Sequence, residues 1–195
     1  MRLGAVTLLL LLPAMAALLD IDPNKTAGNP AAPVTVQVFS DFECPACKAF
    51  HERTLPQLRR DFVATGKVFL VYREFPLPQH AYSRLAASYA VAAARFSSYR
   101  PVADVLFRDQ YAWSVTGKVW DTVASVLTPA QQKKVKAAAD GPSVLAEILR
   151  DLNDGHAVPV TSTPTLVVSR GARSYPVSGT LNYAILKSLI NDLSK

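Results

Sequence analysis

Apolar residues fall into strand-like runs near both ends of the chain and helix-like stripes between them. Val34, Val36, Val38 and Phe39 form a short β-branched and aromatic run that reads as a buried strand. Phe50, Leu55, Leu58 and Phe62 then recur at near-helical spacing among Lys, Glu, Arg and Gln, which predicts an amphipathic helix. Pro56 lies inside that pattern and, lacking an N–H, should kink it. Residues 67–73 form a second apolar strand. A strand, helix and strand joined by short connections make a βαβ unit, so these two strands should be parallel.

The pattern stays helical across 78–156. Tyr82, Leu85, Ala86, Tyr89 and Ala93 form one stripe; Val102, Val105, Leu106 and Trp113 suggest a second helix, and Val119, Trp120, Val123, Val126 and Leu127 a third. Pro129 should open the next helix in its first turn. Asp140-Gly141-Pro142 punctuates before a stripe of Leu145, Ile148, Leu149 and Leu152, with Gly155 as the expected stop. The last part returns to sheet, with a hairpin of 165–169 and 174–177 turning at Arg170-Gly171-Ala172. A terminal helix follows, with Tyr183, Ile185, Leu186, Leu189, Ile190 and Leu193 on a wide apolar face. The organisation is therefore an α/β domain of 33–77 and 157–195, split by a helical insertion over 78–156.

The N-terminus changes this picture. Met1-Arg2, an apolar stretch over 3–12 and Ala14-Met15-Ala16 read as an export signal over 1–16, cleaved after Ala16. An uncleaved anchor is the alternative, since the apolar run to Leu19 reaches about 17 residues, the lower limit for a span. Either way the folded part lies outside the cytoplasm, in an oxidising compartment. Residues 17–32, rich in Pro and Asn, read as a partly ordered linker. Half the residues are hydrophobic and 18% are charged, which supports a substantial core and argues against disorder. The net charge of +6 comes with no nucleic-acid motif, and Lys133, Lys134 and Lys136 read as a solvated helix face.

The chain has two cysteines, in Cys44-Pro45-Ala46-Cys47, at the junction of the first strand and its helix. Cys44 falls at or near the helix N-cap, where free N–H groups and the helix dipole favour a thiolate. Pro45 suits the first turn. In this reading Cys44 attacks, and Cys47, one turn further in and more buried, resolves. Half of a zinc site is an alternative, but no second CxxC exists and His51, His80 and His156 are scattered. An inert disulfide is another, although so small a loop restrains the unfolded chain little.

The stretch from Phe39 through Asp41, Phe42 and Glu43 to Cys44-Pro45-Ala46-Cys47 resembles the active-site signature of DsbA-like thiol-disulfide oxidoreductases of the thioredoxin superfamily. Thr163-Pro164-Thr165 resembles the family's cis-proline loop, and Tyr72 to Leu77 and Ser178-Gly179 match further. The resemblance implies an α/β thioredoxin fold with an inserted helical subdomain and a kinked active-site helix. It implies that Thr163 and Pro164 leave backbone free to pair with a client peptide, and that Phe42 and Pro45 form a lip for it. No cofactor is implied beyond the Cys44–Cys47 disulfide. The implied partners are unfolded or cysteine-containing exported proteins and a quinone-linked membrane reoxidant, DsbB-like or VKOR-like, with the protein itself a monomer.

The direction of exchange stays open. Strongly oxidising members carry histidine where this chain has Ala46, which implies a milder oxidant than DsbA. Asp41 and Glu43 oppose a Cys44 thiolate by charge, while Lys48 helps it. Val38 stands where DsbA has a buried glutamate, leaving Asp41, expected on an exposed loop, or Glu74, expected at a rim or in an ion pair, as substitutes. Oxidase, reductase or isomerase, and a module holding a soft metal such as Cu(I) on the two cysteines, are the three functions in play. No Met- or His-rich motif flanks the pair to support copper.

Overall fold

The computed structural model describes residues 21–179 and 182–195; the expected signal over 1–16 and residues 17–20 lie outside the described residues. A five-stranded sheet is built from β1 (Thr26–Ala27), β2 (Val34–Ser40), β3 (Val68–Glu74), β4 (Thr165–Arg170) and β5 (Arg173–Ser178), in the order β1-β3-β2-β4-β5. β2 and β3 run parallel, Val34 opposite Val68 through to Ser40 opposite Glu74. The other pairings are antiparallel. Alternation along β2 sorts its side chains. Val34, Val36 and Val38 enter one core with Leu58, Phe62, Leu186 and Ile190, whereas Phe39 joins Phe75, Val160 and Val167 in another.

The helix after β2 is not a simple kinked rod. α1 (Pro45–Ala49) runs through a π-helical turn, Phe50–Thr54, into α2 (Leu55–Leu58) and a second π turn, Arg59–Val63. In the first, the Leu55 N–H reaches the Phe50 carbonyl five residues back, so the helix is already widened where Pro56 supplies no N–H.

Between β3 and β4 lie α3 (Ser83–Ala94), α4 (Tyr99–Arg108), α5 (Gln110–Thr116), α6 (Val119–Ala124), α7 (Pro129–Ala138) and α8 (Pro142–Ala157). The stripe expected to make one helix around Val102 and Trp113 makes two, meeting at Asp109. α7 begins with a capping box: Thr128 accepts from the Gln131 N–H and Gln131 reaches back to the Thr128 N–H. Gly155 does not end α8. A Cβ there would stand 2.5 Å from the Phe75 ring, so the glycine lets α8 lie close against the end of β3. The hairpin turns on two residues, Gly171 and Ala172, with Gly171 at φ 57. α9 (Tyr183–Ser194) buries Leu186, Ile190 and Leu193.

The lead-in, expected as a partly ordered linker, has defined structure in its described part. Pro23–Lys25 forms a 3-10 turn, β1 pairs with Leu70 and Val71, and the Lys25 side chain is fully buried. Among the described residues no helix is long and apolar enough to cross a membrane.

Candidate active site

Cys44 is the N-cap residue of α1, with extended backbone (φ −77, ψ 121), and Pro45 occupies the first turn and is exposed. The two cysteines are unbonded thiols. Cys47 is completely buried and Cys44 7% exposed. The Asp41 N–H donates to Cys47 Sγ at 3.4 Å. In its thiol form Cys44 Sγ donates to the carbonyl of Thr163 at 3.3 Å, and the Thr163–Pro164 bond is cis. The loop before β4 thus meets the helix N-terminus at the Cys44 sulfur.

The two thiols have opposite proton affinities. A hydrogen bond from Cys47 lowers the Cys44 pKa from 9.0 to about 5 against the effect of burial, aided by the Thr163 side chain and the N–H groups of Cys47 and Ala46. Burial drives the Cys47 thiol far above the ordinary range, and the hydrogen bond and charge of Cys44 add to this. Near neutrality Cys44 is the thiolate and Cys47 the thiol.

The four residues expected to modulate this pair lie elsewhere than anticipated. Asp41 is not an exposed loop residue; it is buried because four donors converge on its carboxylate. Oδ1 accepts from the Glu43 N–H and the Ser83 hydroxyl, and Oδ2 from the Leu77 N–H and His80 Nδ1. Glu43 points away to the start of α3, accepting from the Tyr82 N–H at 2.7 Å. Lys48 gives its ammonium to Glu52 and to the Phe107 and Arg108 carbonyls, rather than to Cys44. Phe42 forms no lip, being buried with its ring 4.9 Å from that of Phe107.

Glu74 takes the ion-pair alternative and not the rim, being buried beside Lys25. It sits in a buried cluster in which Lys25 Nζ lies 2.8 Å from Asp151, 3.1 Å from Glu147 and 3.6 Å from Glu74. Arg73 donates to Asp151 from the other side at 2.7 Å. Burial opposes the Lys25 charge, but Asp151, Glu74 and Glu147 together raise its pKa well above the ordinary value. Glu74, the most distant of the three carboxylates, keeps most of the burial penalty, and its pKa rises to about 7 although Tyr99 donates to it at 2.8 Å.

Two residues absent from the sequence reading shape the site. Gln110, at the start of α5, donates to the carbonyls of Phe42 and Cys44 at 2.6 and 3.0 Å. Lys25 neutralises the acids under β3. Neither belongs to a motif: one is a lone amide among helical residues, the other a lone lysine in a stretch rich in turn-formers.

A thioredoxin family model matches residues 22–192. The disulfide bond formation protein D of Bacillus subtilis is 27% identical over 156 residues, covering 77% of this chain and 69% of that protein. The crystal structure of oxidised BdbD from Bacillus subtilis superposes with a TM-score of 0.70 at 24% identity, covering 87% of this chain and 92% of that one. That of Wolbachia pipientis alpha-DsbA1 superposes at 0.73 and 18% identity, covering 91% and 95%. With the CxxC pair at the head of α1 and a helical insertion in the sheet domain, the chain belongs to the thioredoxin family and is a DsbA-like thiol-disulfide oxidoreductase.

Proposed function

We propose that the protein is an extracytoplasmic oxidase that passes the Cys44–Cys47 disulfide to cysteine-containing exported proteins. The observation that carries this reading is the opposed proton affinity of the two thiols. A stable Cys44 thiolate favours the reduced pair, and so makes the disulfide a better oxidant. A client thiolate attacks Cys44 Sγ, breaking the S–S bond; Cys47 leaves with the electron pair and takes up a proton. A second client thiolate then attacks the client sulfur of the mixed disulfide and expels Cys44 as a thiolate. The client is oxidised by two electrons and the pair is reduced.

Pro45 and Ala46 set the helix start around the nucleophile, and Thr163 and Pro164 present backbone beside Cys44 for an extended client. The signal-like residues 1–16 support export. Reoxidation falls to a quinone-linked membrane partner, DsbB-like or VKOR-like, and the protein works as a monomer. With Ala46 in place of histidine, it is a milder oxidant than DsbA.

Equilibration of the mature protein in glutathione buffers tests the direction. A potential near or above about −150 mV supports oxidation of clients, and one below about −220 mV makes the protein a reductase.

A further inference from the structure

The corner between α4 and α5 grips the CxxC motif at three points. The Phe107 ring packs on that of Phe42. Lys48 donates to the Phe107 and Arg108 carbonyls at 2.6 and 3.0 Å, at the negative end of α4. Gln110 returns the contact through its side-chain amide, which donates to the carbonyls of Phe42 and Cys44.

These two carbonyls bracket the Glu43–Cys44 peptide. The Cys44 carbonyl also accepts the Lys48 N–H at 3.1 Å, the first bond of the helix. Cys44 has no side-chain cap bond to fix it. The N–H groups of Ala46 and Cys47, in the first turn, favour the thiolate without closing such a bond. Gln110 is buried, and its loss would take a donor from the Phe42 carbonyl and leave the Cys44 carbonyl with the Lys48 N–H. The carboxylates of Asp41 and Glu43 and the ammonium of Lys48 are each engaged elsewhere, and none supplies this hold.

We propose that Gln110 is a positioning residue for thiol-disulfide exchange: reaching from the helical insertion, its amide fixes the backbone on both sides of Cys44 and keeps the helix N–H groups on the sulfur. The inference rests on the reading of Cys44 as the nucleophile, and not on the direction of exchange.

The test is the rate of Cys44 alkylation by iodoacetamide from pH 4 to 10 in the reduced protein, with the modified cysteine located by peptide mass spectrometry. Gln110→Met keeps the volume and removes the donors; Gln110→Glu replaces the amide by a group that repels the two carbonyls. Tyr111→Ala, on the solvent side of the same helix, is the control. In both Gln110 variants alkylation near pH 4 should fall roughly three- to tenfold while the rate above pH 9.5 stays within about twofold of wild type, since below the Cys44 pKa of about 5 a tenfold loss of thiolate corresponds to one unit of pKa. Wild-type pH profiles in folded Gln110→Met or Gln110→Glu, with only a lower melting temperature, would reduce Gln110 to packing. If Cys47 is alkylated first in the wild type, the assignment of the nucleophile fails instead. A reductase-like potential with the shifted profiles would leave the Gln110 role intact and overturn only the oxidase reading.

Discussion

The depressed Cys44 pKa has a consequence for stability that only the reduced protein can show. A thiol held at about 5 in the fold, against 9.0 in an ordinary setting, stabilises the folded state fully above pH 9, and that stability is lost as pH falls through 5. At pH 7 two of the four units are expressed. At about 1.4 kcal/mol each, and discounted for the sulfur's contact with solvent, they amount to about 2–3 kcal/mol. Cys47 contributes nothing over this range, because its raised pKa leaves it protonated in both states below pH 9. The disulfide form lacks the thiolate, and every other titrating group, Glu74 included, is common to both forms. The perturbation is therefore pH, applied to the reduced and oxidised proteins in parallel, with urea unfolding as the assay. The reduced-minus-oxidised difference in unfolding free energy should grow by about 2–3 kcal/mol between pH 4 and pH 7. Any entropic effect of the small disulfide loop is independent of pH and drops out of that change. The same energy corresponds to about 40–60 mV of reduction potential. A difference constant within about 0.5 kcal/mol would refute the stabilised thiolate, since nothing else separates the two forms across this pH range.

Three further outcomes follow from the packing. Lys25→Met should cost about 3–5 kcal/mol in urea unfolding, because Asp151, Glu147 and Glu74 lose their shared cation in a buried site; a loss below 1 kcal/mol, on the same scale, would mean the acids find other partners. The stability that Glu74 contributes is complete below about pH 4.5 and lost as pH rises through 7, so wild type should lose roughly 2–3 kcal/mol relative to Glu74→Gln between pH 5 and 8; parallel thermal-unfolding profiles would show that Glu74 does not carry the burial penalty. Gly155→Ala should cost about 1–3 kcal/mol by overpacking Phe75, despite alanine's higher helix propensity, and a higher melting temperature would contradict the tight contact.

The sheet and the site were legible to different depths. Val34, Val36 and Val38 alternate as a half-buried strand must, and β2 followed directly. The cysteine pair and its place at a strand-to-helix junction needed only local reading. α8 was placed, and half of its stripe faces inward: Ile148 is buried and Leu152 packs against the core, but Leu145 and Leu149 are exposed, and the rest of the buried face is Val144, Glu147, Asp151 and Gly155. Counting apolar residues cannot find a face whose acids are buried against Lys25 and Arg73. In α3 the alanines at 86, 87, 90 and 92–94 are all buried, so the burial wraps most of the helix and a stripe drawn through Leu85 and Tyr89 loses its meaning. Asp41 and Gln110 are set by partners 36 to 68 residues away, distances at which a single sequence holds no signal.

The two outer strands of the sheet bear on how the molecule meets other chains. On one side β1 is only two residues long; on the other, β5 is exposed along nearly its whole length and carries Pro176 between Arg173 and Ser178. A two-residue strand offers almost no ladder to extend, and a proline withholds one of the donors that a neighbouring strand would use. Stacking of copies through their sheets is thereby discouraged at both margins. A protein that exchanges disulfides with other proteins would otherwise be exposed to strand capture by its own substrates. On the proposed reading, a client segment then pairs at the turn before β4, beside the sulfur, and not along either margin of the sheet.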